Sequence, residues 1–147
     1  MNTKAQEIIK RLNMQILPQE GGYFAFIDKF GDGAGTIYYL ITEDSVSHLH
    51  SLSSDEVWYF LEGDELEQLL IDENNNISLA KLDINNRVSI IKKNIFQATY
   101  IKRVQEGYAL VCTTMSPAYK DEMYTHGLNS DRLVNLAKSN SLVQKAL

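Results

Sequence analysis

Residues 47–63 read SHLHSLSSDEVWYFLEG, and this stretch gives the strongest indication of fold and chemistry in the chain. Two histidines, His48 and His50, stand two residues apart and are followed by Glu56 and by an aromatic run that ends at Gly63. Side chains two residues apart lie on the same face of a β-strand. We therefore expect His48 and His50 to point into one space. Two imidazoles and a carboxylate form a donor set that suits Zn, Fe, Mn or Ni.

The composition excludes several classes of function. The chain has 147 residues, enough for a single domain with a substantial core. It carries 14 Lys and Arg against 19 Asp and Glu, a net charge of −5, without a basic run that could follow a phosphate backbone, so we expect no nucleic-acid partner. Its apolar runs are far shorter than the roughly 20 residues that span a bilayer, so we expect no membrane segment. The single cysteine, Cys112, and the lack of a secretory apolar run at the N-terminus predict a cytoplasmic protein.

Short apolar or alternating runs, separated by turn residues, predict an all-β domain with helical ends. An amphipathic helix is predicted over residues 3–12, and a helical tail over residues 130–147 with Ser130 or Asn129 as its N-cap. Between them, strands are predicted near residues 23–29, 36–41, 46–50, 56–61, 65–71, 77–82, 87–91, 96–102 and 107–115. So many short strands at this spacing are typical of a sandwich, a jelly roll or a barrel.

Several blocks of sequence are similar to those of a known family. They are LPQEGGYF at 17–24, TIYYL at 36–40, SDEVW at 54–58, FQA at 96–98 and YALV at 108–111. In these blocks the chain resembles the cupins, and more narrowly the small single-domain cupins called DUF985 or cupin_5, over residues 6 to 125. The resemblance implies a cupin double-stranded β-helix, that is, a jelly-roll barrel over residues 17–125 with short N- and C-terminal helices. It also implies a small-molecule pocket and a homodimer, and we take the segment from Gln15 to Phe24 as the candidate dimerisation arm.

The chain departs from the general cupin pattern at the positions that are expected to bind a metal. Five residues separate His50 from Glu56, a longer spacing than cupins typically have. Gln97 stands where the second cupin motif has a histidine ligand, and a glutamine oxygen is a weak ligand for borderline metals. The metal set that the resemblance implies here is therefore His48, His50 and Glu56, with Gln97 as the fourth member, around a divalent Zn, Fe, Mn or Ni.

Aromatic side chains are the other candidates for the pocket. Alternate residues of a barrel strand face the interior, so Trp58 or Phe60 is expected either in the core or on the pocket wall, where Gln97 would also contact a ligand. Only one of Tyr38 and Tyr39 can point inward, and we take Tyr38 as the candidate acid. His126 follows the last predicted strand and is expected to face solvent.

Two functions from different classes remain open. The first is a small enzyme, a sugar isomerase or epimerase, in which a metal polarises a substrate carbonyl. In a metal-free version of it, His50 or Glu56 is the general base and Tyr38 the acid. The second is a cupin that binds a small polar or sugar-like ligand without converting it. Gln97, which replaces the histidine of the second cupin motif, favours the binding protein. The additional His48 favours the enzyme, which we rank first. A third hypothesis is a metal-dependent dioxygenase, which Gln97 disfavours because a glutamine oxygen is a weak metal ligand.

Overall fold

The computed structural model describes all 147 residues and consists of two antiparallel sheets between short terminal helices. The chain begins with α1 (Thr3–Leu12) and ends with α2 (Asp131–Ala137) and α3 (Ser141–Ala146). Its strands are β1 (Gln15–Ile16), β2 (Tyr23–Phe30), β3 (Ala34–Thr42), β4 (Ser47–Leu52), β5 (Glu56–Gly63), β6 (Leu66–Ile71), β7 (Ile77–Leu82), β8 (Val88–Ile91), β9 (Phe96–Ile101), β10 (Tyr108–Met115) and β11 (Tyr124–His126). One sheet has the order β1-β2-β3-β10-β5-β8 and the other β11-β4-β9-β6-β7.

The connectivity is that of a jelly roll. From β3 onward the chain crosses from one sheet to the other at every connection except the β6–β7 hairpin. The predicted all-β fold is therefore confirmed, and each of the nine predicted strands is present. Two strands were not predicted, β1 and β11, because segments of two and three residues are too short to show an alternation.

Strand β5 shows how the sequence sets the two faces of the larger sheet. Glu56, Trp58 and Phe60 are buried, whereas the alternate side chains point away from the core. Trp58 and Phe60 belong to the apolar core between the sheets. Glu56 lies in the same inward row, so the fold itself carries a carboxyl group into the interior.

Helices cover the outer faces of both sheets. Helix α1 places Ile8 against Leu40 and Leu110 of the larger sheet. The C-terminal tail forms two helices instead of one, because Ser130 caps α2 and Asn140 caps α3. Both pack against the smaller sheet, together with Leu49 of β4. No helix of the chain is long and apolar enough to cross a membrane.

Candidate functional site

A cavity of about 950 Å³ lies at one end of the two sheets, within the range of small-molecule sites in proteins. Side chains from β2, β3, β5, β10 and β11 line it, together with the loop that joins β1 to β2. Aromatic residues form much of the wall: Phe24, Phe26, Tyr39, Trp58, Tyr119 and Tyr124. Three carboxylates also line it, Glu20, Glu56 and Asp121, and Lys29 is the one Lys or Arg among the lining residues.

Glu56 is a buried carboxyl group held by two donors. Its Oε1 accepts hydrogen bonds from Trp58 Nε1 and from Gln97 Nε2, both at 3.1 Å. Burial, followed by the negative charge of Glu20, raises the pKa of Glu56, and His50 together with the two hydrogen bonds offsets part of that rise. Glu56 therefore holds a proton at a higher pH than an exposed glutamate does.

His50 and Glu20 form a pair beside Glu56. His50 is 1% exposed, and its Nδ1 lies 2.7 Å from the backbone oxygen of His48. A carbonyl oxygen can only accept, so Nδ1 carries the hydrogen, and Nε2 faces Glu20 Oε1 at 3.5 Å. Ser47 Oγ donates to the other Glu20 oxygen at 3.0 Å.

A β-bulge interrupts β4 near the two histidines. Ser47 lies opposite Thr99 and His50 opposite Gln97, so three steps along β4 match two steps along β9. Ser47 and His50 therefore share one register, and the shared face of His48 and His50 stays a prediction. His48 is half-buried, and its Nδ1 has no hydrogen-bond partner.

The inward tyrosine of β3 is Tyr39, which corrects the assignment of Tyr38. Tyr39 lines the cavity, and its hydroxyl donates to the backbone oxygen of Gly21. Burial and the nearby Glu20 raise the pKa of Tyr39 well above its ordinary value. Tyr38 points to the opposite face and packs against the α1 cluster. Gly22 has φ +76°, and a Cβ there would lie 2.5 Å from the Tyr39 hydroxyl, so this position requires glycine.

The three residues predicted to contact a ligand, Trp58, Gln97 and Phe60, lie at different distances from the cavity. Trp58 lines the cavity directly. Gln97 is fully buried behind Glu56, and its Oε1 has no hydrogen-bond partner. Phe60 packs in the core between the sheets and is not among the lining residues.

Strand β11 adds two site residues that sequence reasoning missed. Tyr124 stacks on His50, with ring centroids 5.2 Å apart, and its hydroxyl lies 2.8 Å from His126 Nδ1. His126 lines the cavity, contrary to the expectation that it faces solvent, because β11 pairs with β4 and sets His126 opposite His50. Burial first, and then the charges of His48 and His50, lower the pKa of His126. A three-residue strand gives no alternation in the sequence, so no local signal was available for these two residues.

The donor set does not fit a divalent metal. No three His, Cys, Asp or Glu side chains are grouped so that they could hold an ion. Of the four predicted ligands, Gln97 directs its N–H, which cannot ligate, toward Glu56, and His50 directs Nε2 toward Glu20. The structure therefore brings together titratable side chains, among them Glu20, which was absent from the predicted set.

Comparisons with known proteins agree with this fold. Residues 6–126 match the family described as Cupin superfamily (DUF985). No curated protein matches the sequence. A crystal structure of a protein from Shewanella oneidensis has 25% identity over 97% of this chain and 96% of its own, with a TM-score of 0.82. A hypothetical protein from Leishmania major has 24% identity over 96% of both chains and the same TM-score of 0.82. The capsular polysaccharide assembling protein CapF of Staphylococcus aureus, with 10% identity over 77% of this chain and 33% of its own and a TM-score of 0.63, shares the fold.

Proposed function

This chain belongs to the DUF985 family of the cupin superfamily, and we propose that it is a metal-independent sugar isomerase or epimerase acting in the cavity between its sheets. Membership supports the coarser statement, a small-ligand-binding cupin. The finer proposal rests on one observation, the two carboxylates Glu20 and Glu56 that face one cavity with different surroundings. Paired carboxyl groups whose surroundings separate their proton affinities are a recurring basis of acid–base catalysis.

The surroundings of the two carboxylates support different roles. Glu20 faces His50 Nε2 with one oxygen and accepts a hydrogen bond from Ser47 with the other. Glu56, which is buried and has a raised pKa, retains a proton more readily. We therefore propose Glu20, supported by His50, as the base and Glu56 as the acid. His50 is not among the residues that line the cavity, and Tyr124 stacks over its ring, so we propose that His50 acts through Glu20.

The proposed reaction needs no oxidant and no metal. Glu20 takes the proton from the carbon next to a substrate carbonyl while Glu56 gives its proton to the carbonyl oxygen, which leaves an enediol. In an isomerisation, Glu20 returns its proton to the former carbonyl carbon while the hydroxyl of the neighbouring carbon gives its proton to Glu56 and becomes the new carbonyl. In an epimerisation, the enediol turns over in the cavity, Glu20 returns its proton to the opposite face of the same carbon, and Glu56 recovers its proton from the enediol oxygen. Both carboxyl groups then hold their original protons again.

The test is proton exchange with solvent, which does not require the natural substrate to be known. Aldoses, ketoses and their amino and phosphorylated forms are incubated with the protein in deuterium oxide and followed by proton NMR. We expect loss of the signal from hydrogen next to the carbonyl for at least one compound. A compound that binds in the cavity without such exchange would instead support the alternative function, a cupin that binds its ligand without converting it.

Metal independence gives a second expected result. Because the donors at this site are oriented toward one another instead of toward a common centre, we expect substoichiometric Zn, Fe, Mn and Ni in protein purified without added metal. Elemental analysis by mass spectrometry measures this content. Treatment with a chelator should leave the exchange rate unchanged. One equivalent of a tightly held metal, with activity lost on chelation, would contradict the proposal and restore the metal-assisted version.

We also propose that the protein is a homodimer, and the exposed face of the larger sheet supports this. Tyr59, Leu61, Val88 and Ile90 on β5 and β8 are large apolar side chains exposed on that face. The segment from Gln15 to Phe24, our sequence-based candidate arm, pairs with itself as a hairpin and contributes to the cavity of its own chain. The sheet face is therefore the better-supported interface.

Light scattering tests the dimer. We expect twice the chain mass of 16.7 kDa for the wild type and the mass of one chain for Ile90→Lys. Leu79→Lys on β7 is the control, since Leu79 is comparably exposed but lies on the other sheet. A wild-type protein that is monomeric at micromolar concentration would contradict the dimer.

A further inference from the structure

We propose that the cavity selects a small, sugar-sized molecule rich in hydrogen-bond donors and without negative charge, a neutral polyol or an amino polyol, and rejects phosphorylated or nucleotide-linked forms. The inference rests on the proposed function only in taking this cavity as the ligand site. It does not require that the ligand be converted.

Four donors at or near the cavity wall are already used within the protein: Trp58 and Tyr39 line the cavity, and Gln97 and Ser47 are buried outside its lining. The indole N–H of Trp58 and the amide N–H of Gln97 both donate to Glu56. The hydroxyl of Ser47 donates to Glu20, and that of Tyr39 donates to a loop carbonyl. A ligand that consists mainly of acceptors, such as a phosphate group, would therefore have to break these internal hydrogen bonds.

The acceptors are not all used. The carboxyl groups of Glu20 and Asp121 line the cavity, and their oxygens can accept hydrogen bonds from a ligand. A ligand that brings O–H or N–H groups would donate to them.

The charge of the cavity and the composition of its wall also favour a ligand without negative charge. Glu20 and Asp121 line the cavity together with the raised-pKa carboxyl group of Glu56, against Lys29 alone, so an anionic ligand would meet the like charges of Glu20 and Asp121 in a partly desolvated space. The aromatic walls, among them Trp58 and Tyr124, offer ring faces that attract cations and the C–H faces of sugars. An ammonium group would gain from both the carboxylates and the rings.

Trp58 makes a specific test possible. It is the single tryptophan of the chain, it lines the cavity, and its indole N–H donates to Glu56. The one indole resonance in a proton–nitrogen NMR spectrum therefore reports directly on the site. The probes are matched trios that differ in charge: glucose, glucosamine and glucose 6-phosphate, and the same three forms of galactose and mannose.

We expect the amino or neutral member of at least one trio to shift the Trp58 indole signal saturably, with an affinity on the order of tenfold or more above that of its phosphate. Glu20→Gln should reduce the preference for the amine over the neutral sugar, whereas Glu73→Gln, on an exposed turn, should not. Preferential binding of a phosphate, or an indole signal that no neutral or amino sugar shifts, would overturn the inference. Saturable binding without deuterium exchange would instead overturn only the proposed catalysis.

Discussion

Replacing Glu56 by glutamine is expected to reduce the rate of proton exchange by about 10²–10⁴-fold, the usual contribution of a positioned acid or base. Glutamine keeps the oxygen that accepts hydrogen bonds from Trp58 and Gln97, so the cavity should keep its shape. It loses only the exchangeable carboxyl proton. Proton NMR in deuterium oxide measures the rate on whichever sugar the wild-type protein exchanges.

The same substitution is expected to stabilise the fold at neutral pH. Burial, and then the charge of Glu20, raise the pKa of Glu56 above its ordinary value of 4.5. Below that value the folded and unfolded chains both hold the proton, and the shift contributes nothing. As the pH rises above it, the unfolded chain releases its proton first, so the native state is progressively disfavoured until the pH passes its own higher pKa. Glu56→Gln removes this penalty.

Thermal unfolding at two pH values tests the expected gain in stability at neutral pH. The melting temperature of Glu56→Gln should exceed that of the wild type at pH of about 7 and match it at pH of about 4, below the ordinary glutamate pKa. Glu73→Gln removes a carboxyl group from an exposed turn and should change neither the exchange rate nor the melting temperature. A Glu56→Gln protein that is destabilised at neutral pH, or that still exchanges at the wild-type rate, would contradict the role of Glu56.

Strand β5 could be predicted from sequence because one polarity pattern runs along its whole length. Glu56, Trp58 and Phe60 are inward and the intervening residues are outward, as alternation requires. Strand β4 could not be predicted in the same way. Its bulge is defined by the register against β9, so the local sequence around His48 gives no sign that alternation is interrupted.

The rest of the site depends on contacts between segments distant in sequence. Glu20 lies in the loop before β2, 30 residues from His50 in sequence, so only the folded chain brings the two together, and its place in the PQEGGYF block was the single local signal. Tyr38 and Tyr39 have the same chemistry, and the packing of α1 on one face of β3 decides which of them points inward. His126 reaches the cavity because a three-residue strand pairs with β4.

Replacing His50 by alanine is expected to destabilise the protein by about 1–3 kcal/mol, the cost of leaving a polar group away from water without its partner. Glu20 would lose the imidazole that it faces, and Tyr124 would lose the ring on which it stacks. Proton exchange should fall with it, because Glu20 loses the group that stabilises its anion. Urea unfolding followed by Trp58 fluorescence measures the stability, with the midpoint shifting and the slope unchanged.

A double variant distinguishes the pair from simple loss of packing. If His50 serves mainly to compensate Glu20, then adding Glu20→Gln to His50→Ala removes the uncompensated charge. The double variant should be less destabilised than the sum of the two single variants by about 1–3 kcal/mol, the range found for residues in direct contact. His126→Ala is the matched control, because His126 also contacts Tyr124, so its combination with Glu20→Gln should be closer to additive. Strict additivity of His50→Ala and Glu20→Gln would show that the two side chains do not share a proton or a charge interaction, and the proposed base would then lack its support.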